Sequence, residues 1–303
     1  MTDQTLLDPK NDYVFKRLFG EAPELLVALI NDLRPDVPEI RSAEILNPGI
    51  QPEELSGKYI ILDVLARDAA GTCYNVEIQV RRYDARGRRG LYYLTRVLVQ
   101  QLGAGEDYEV LGAVIGIQLL DFDLFEDGAA QQNQALWRFE MRDATQPEVT
   151  LGNVLQLNLI EWKKADRLGL TAGPLRAWVT FFEHWREEAI MAQVEHPPIL
   201  EAMNRVRALS ADEQARRLAF VRERALHDEV TLLKEAQRRG EQIGLEKGEL
   251  IGREKGLEEG RREAATETAR GLIQLGVLGD EQIAQVTGLS LEQVEALRAG
   301  DRR

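Results

Sequence analysis

The chain has a single cysteine, Cys73, and only three histidines, His184, His196 and His227, far apart along its 303 residues. One thiol excludes an intrachain disulfide and a zinc site built on several thiolates. Histidines so scattered do not suggest a zinc cluster. No apolar run approaches the roughly 18 residues of a membrane span. The opening MTDQTLLDPKNDYVF lacks the basic-then-apolar order of a secretory signal. These absences lead to the expectation of a soluble protein of a reducing compartment. Positive charge is short as well. Basic residues number 38 against 51 acidic ones, a net charge of −13. That balance argues against bulk attraction of nucleic acid through total charge.

What is there is enough apolar material for a core: 44% hydrophobic and 29% charged residues, too apolar for a disordered chain. The length suggests about two domains of roughly 150 residues. Charge is unevenly spread. Residues 81–96 hold six arginines (Arg81, Arg82, Arg86, Arg88, Arg89, Arg96) against one acid, Asp84. A local basic patch on an acidic chain says more than the total.

Hydrophobic spacing gives the order of elements. Val14, Phe15, Leu18 and Phe19, then Leu25, Leu26, Leu29, Ile30 and Leu33, recur at helical spacing, and Pro35 ends the pattern. Residues 36–57 read as a loop with a short strand at Ile40 to Leu46. KYIILDVLARD (58–68) is a nearly continuous apolar run, as in a strand buried on both faces. After the turn residues DAAGT, CYNVEIQVR (73–81) alternates, and the two runs predict a hairpin. A helix over 91–105 and strands at 110–122, 136–143 and 154–162 follow. From 164 onward the pattern is helical, with PLRAWVTFFEHWREEAI as one amphipathic segment. Its Trp178, Phe181, Phe182 and Trp185 are assigned to core packing. One or both of Tyr92 and Tyr93 are expected among the core residues of their helix, with base stacking as the alternative.

The last third is unusual. Gly240, Gly244, Gly248, Gly252, Gly256 and Gly260 recur every four residues. Each costs a helix roughly 1 kcal/mol relative to alanine. A four-residue step overshoots a full turn by about 40°, so the stripe spirals around the helix. Two readings stand: a charged, partly frayed helical linker, or a helix-pairing element for oligomerisation. The end, LGDEQIAQVTGLSLEQVEALRAG, has the shape of a helix-turn-helix. Its second helix carries Glu292 and Glu295 with only Arg298, which favours a small packing unit over a DNA reader.

The hairpin holds the candidate chemistry. With the turn centred on Ala70, Asp63 falls opposite Glu77, and directly opposed side chains sit about 5 Å apart. Gln79 shares the face of Glu77. Two acids so placed are costly unless something positive sits between them. A hard divalent cation, Mg²⁺ or Mn²⁺, suits carboxylate and water oxygens, and the main-chain carbonyl of Ile78 could complete the protein's share. Such a metal lowers the pKa of water and polarises a phosphodiester oxygen. The arginines downstream can hold a polyanionic backbone; the alternative for them is a solvated loop. For the acids the alternative is a solvated hairpin face. Asp63 weighs against it, because it interrupts an apolar strand and a buried carboxylate needs a partner.

Asp63 followed by Glu77-Ile78-Gln79 resembles the PD-(D/E)XK nuclease motif, and in particular the Rpn family of recombination-promoting nucleases and transposases. NDYVFKRLFG (11–20), ILDVLARD (61–68), YNVEIQVRR (74–82), YYLTR (92–96), QLGAGEDYEVLGAVIGIQLLDF (101–122) and the terminal IAQVTGLSLEQVEAL carry the resemblance over nearly the whole chain. It implies an α/β fold: a PD-(D/E)XK core, a mixed central sheet flanked by helices, at 1–163. An all-helical C-terminal region follows, with a helical extension at 164–238 and the glycine-repeat helix and helix-turn-helix at 239–303. It implies Asp63 and Glu77 as metal-binding acids, DNA as substrate and a bacterial, cytoplasmic setting. Gln79 stands where the wider superfamily has lysine. A neutral amide only hydrogen-bonds, so the metal, Lys58 or a nearby arginine must supply more of the charge. Asp12 and Lys16, in the N-terminal helix block, are accessory candidates; Asp12 reads equally as a helix N-terminal acid. The implied function is a Mg²⁺-dependent DNA endonuclease acting in recombination or mobile-element movement; the glycine repeat adds the expectation of a homo-oligomer built through the C-terminal helices. The alternatives are a DNA-binding or assembly protein with a weak core, and a defence or toxin nuclease.

Overall fold

The computed structural model describes residues 5–47, 64–82, 88–103, 105–169 and 173–300. Asn11 caps the first helix, α1 (Asp12–Gly20), its side chain accepting from the Tyr13 and Val14 amides. Pro23 begins α2 (Pro23–Leu33), where its fixed φ and missing N–H cost nothing. The short β1 (Ala43–Ile45) follows.

The hairpin forms from β2 (Val64–Asp68) and β3 (Cys73–Gln79). Asp68 ties its turn, accepting from the Ala70 and Thr72 amides at 2.9 Å each, and Gly71 takes φ +87°. Then come α3 (Arg88–Val99), β4 (Val114–Leu120), the short α4 (Gly128–Gln132), β5 (Leu136–Glu140) and β6 (Leu155–Glu161). The strand order is β1-β2-β3-β4-β6-β5. The β3–β4 and β4–β6 pairs are parallel, and the other three are antiparallel. This is the mixed sheet expected of the α/β core. Helix α3 starts three residues earlier than the sequence pattern suggests and ends at Val99.

Helices α5 (Trp162–Arg167), α6 (Pro174–His184), α7 (Glu188–Met191) and α8 (Pro197–Ala211) follow. The single amphipathic segment expected over 174–190 is two helices, broken where Glu187 folds back to donate to the His184 carbonyl. Trp162, Trp178, Phe181 and Phe182 are fully buried with Phe15 and Phe19. One core unites these aromatics with Val64, Val76, Ile78, Ile117 and Leu119 of the sheet. Burying each large apolar side chain contributes roughly 1.5–3 kcal/mol. Helices α1, α2 and α6 thus cover one sheet face, and α3 packs Leu94 on the other against Cys73 and Val114.

The chain divides into two compact units, Met1–Glu229 and Val230–Arg303. Helix α9 (Glu213–Leu275) packs Ala215 and Ala219 into the core of the first. In the second, α10 (Asp280–Thr287) and α11 (Leu291–Gly300) close Ile283 and Val294 over Ala269 and Ile273 of α9. The terminal helix pair is therefore a packing unit with its own small core. Residues 231–264 are exposed throughout.

Candidate active site

β3 and its neighbours build the site. Strand alternation puts Asn75, Glu77 and Gln79 on the face that α3 covers, and Val76 and Ile78 on the face that α1 covers. β2 and β3 pair Val64 with Val76, Leu65 with Asn75, Ala66 with Tyr74 and Arg67 with Cys73, the register the turn residues predict. Glu77 is only 5% exposed. Its partner on β4 is Gln118, also buried, one strand spacing of about 4.8 Å away. Asn75, Glu77 and Gln118 are a polar group inside an apolar sheet.

The first turn of α3 lies over this group. A Cβ at Gly90 would fall 2.0 Å from Gln118 Nε2, so a side chain there would displace either the amide or the helix. Next along β4, a Cβ on Gly116 would meet Leu94 at 2.8 Å. Two glycines, one on each element, let helix and sheet approach closely.

The oxygens on this face are carboxylate and amide oxygens, a donor chemistry that suits a hard divalent cation. Among the described residues no three His, Cys, Asp or Glu side chains group as a metal site. Glu77 supplies one carboxylate. Asp63, Lys58 and Arg86 lie outside the described residues, as does the Arg89 side chain.

The other sequence-predicted residues are spread around this centre. Asp12 begins α1 and is gripped by Arg222, whose Nε donates to both carboxylate oxygens at 2.9 and 2.7 Å. Lys16 is buried on the same helix. Both therefore belong to the element packed on the sheet face opposite Glu77. Arg81 Nη1 stands 3.7 Å from Glu229. Arg82 pairs with Glu126 at 2.6 Å and donates to the Asp123 carbonyl. Arg88 and Arg96 are exposed on α3. Tyr92 is 60% exposed and Tyr93 partly buried, because α3 turns Gly90 and Leu94 to the sheet. Tyr93 meets the Tyr92 ring edge-on at 5.4 Å.

Sequence reasoning missed three features. Gln118 is one; a lone polar residue in VIGIQLL (114–120) is the same signal that singled out Asp63. A second is the pair Glu161 and Lys164, at 0% and 1% side-chain exposure and 2.6 Å apart. Glu161 also accepts from Trp137 Nε1 at 2.8 Å, the Phe125 amide at 3.0 Å and the Leu124 amide. Lys164 donates to the carbonyls of Phe125 and Gln131. The third joins Lys10 to Asp121 at 2.8 Å and Glu183 at 3.2 Å. The Asp121 amide donates to the Gln79 carbonyl at 2.9 Å, which ties this cluster to the end of β3. Burial pushes the Glu183 carboxyl above the usual range. Burial opposes the Lys10 charge, yet its hydrogen bond to Asp121 holds the ammonium above its ordinary value.

A cleft of about 610 Å³ opens beside α3, lined by Leu91, Leu94, Leu157 and Phe139 with Arg82 and Arg88.

A family model described as PD-(D/E)XK nuclease family transposase matches residues 9–236. No curated protein and no solved structure matches the chain.

Proposed function

Since this chain belongs to the PD-(D/E)XK nuclease family of transposases, we propose that it is a divalent-metal-dependent DNA endonuclease. The observation that carries the reading is Glu77, a buried carboxylate near the end of β3 where the motif requires one. The residue before Val64 is Asp63. The sequence pattern of the hairpin puts it opposite Glu77, and on that reading these two acids are assigned to hold the ion, with the Ile78 carbonyl.

The chemistry a hard cation supplies there is charge withdrawal from a phosphodiester oxygen and acidification of water. Glu77 and Asp63 fix its place. Gln79, which can donate and accept hydrogen bonds but carries no charge, orients the attacking water or a phosphate oxygen. Arg88 and Arg96, exposed on α3, hold neighbouring phosphates, and Arg81, Arg82, Arg86 and Arg89 are assigned to further phosphate contacts. Lys58, Lys16 and Asp12 remain accessory assignments. Cleavage leaves a 3′-hydroxyl. Self-association through the C-terminal helices, a cytoplasmic setting and a role in recombination or mobile-element movement complete the reading.

The test is plasmid DNA with Mg²⁺. The wild type is expected to cut, and Asp63→Ala and Glu77→Ala each to slow cutting about a hundredfold or more, the scale of losing a group that acts in the transition state. Cleavage that survives both changes removes this active site. Gln79 in place of lysine favours a second reading, a DNA-binding or assembly protein with an inactive core. Binding without cleavage, unaltered by either substitution, would establish it.

A further inference from the structure

We infer that the cleft between α3 and the β5–β6 edge is a nucleobase pocket, and that the chain acts on DNA carrying an unpaired base close to the cut; this rests on the DNA-nuclease reading above. Helix α3 packs over β4 and β6, with Gly90 against Gln118 and Leu94 against Gly116. The same sheet face continues past it through Leu157 and Leu159 of β6 to Phe139 of β5, which is 45% exposed. At about 610 Å³ the space lies within the range of small-ligand sites.

Its walls match a base better than an apolar helix. The Phe139 ring, 5.8 Å from Phe125 and inclined 39° to it, keeps an open aromatic face of its own for stacking. Three carboxylates line the cleft, but Glu126 is answered by Arg82 and Glu140 by Arg142. That leaves Asp127 as an acceptor for exocyclic amino hydrogens and Arg88, on a first helical turn without acids, for the attached phosphate. An apolar partner would bury Arg88 and Asp127 without compensation; a nucleotide presents a π face, a polar edge and a phosphate together.

The distance also fits. Leu159 pairs with Gln118, and Gln118 with Glu77. Two strand spacings are about 10 Å, or about three nucleotide steps. A bulged or mismatched base reaches such a pocket cheaply, because its unstacking cost is already lowered.

Binding in EDTA, where cleavage is silent, tests this on the full-length protein. Two duplexes of one sequence are compared, one fully paired and one with a single bulged fluorescent adenine analogue. The bulged duplex is expected to bind about tenfold tighter or more, with the analogue quenched by stacking. Phe139→Ala is expected to erase both effects while changing paired-duplex affinity less than about twofold, and Phe139→Trp to restore them. Equal affinity for the two duplexes, or a preference that persists in Phe139→Ala, overturns the pocket. So does a fall in the solution mass of Phe139→Ala, since a second copy would then cover this face. The titration contains no metal and the plasmid assay contains no bulge, so failure of the pocket and failure of the active site are read separately.

Discussion

Lys164 gives up its water entirely on folding and receives a carboxylate and two carbonyls in exchange. Its partner Glu161 is equally dry. A buried pair contributes little net stability, but removing one member leaves the other charged and alone. Lys164→Met is therefore expected to destabilise the protein by about 3–5 kcal/mol, read as a lower urea midpoint; an unchanged midpoint would mean that Glu161 is satisfied by its remaining donors. This pair was hidden in the sequence because the groups that complete it, Trp137 and the amides of Leu124 and Phe125, come from at least 24 residues away. Gln118 was not hidden in the same way. It breaks an apolar strand, and the logic applied to Asp63 reaches it unaided.

At the level of elements, the hairpin register was legible because alternation and a five-residue turn leave one pairing that keeps apolar residues on one face. The orientation of α3 was not. Tyr92 and Leu94 have similar claims to the inner face by hydrophobicity alone, and two glycines, Gly90 and Gly116, decide between them by allowing contact on one side. The glycines of α9 are the opposite case. A Cβ at Gly244, Gly248 or Gly252 would meet nothing within 4 Å, so within this chain they permit no close packing. Gly248→Ala is then expected to raise helix stability by about 1 kcal/mol, seen as a higher thermal midpoint by circular dichroism. A lower midpoint would reveal a second helix lying against the stripe.

For the molecule as a whole, the core that surrounds the sheet closes with Ala215 and Ala219 of α9, while Leu232, Leu233, Ile243, Leu250 and Leu257 further along are each more than 40% exposed. These are the apolar residues that the proposed self-association would cover. Deletion of residues 240–303 is expected to lower the mass measured by light scattering from a dimer or larger species to a monomer, with the sheet-bearing unit still folded. An unchanged mass contradicts self-association through this end. The sequence made readable that the strands end by residue 162 and helices follow. It did not reveal that the helices α5 to α8 share the sheet's own core, because their apolar faces carry no mark of the partner they bury against.

The close fit of Gly90 on Gln118 has a mechanical consequence. A helix backbone seated directly on a buried side-chain amide has little freedom to slide. Whatever Arg88 grips is thereby held at a fixed offset from Glu77, as by a gauge block. If Arg88 holds phosphate as proposed, one seated a nucleotide out of step would be gripped just as firmly and left intact.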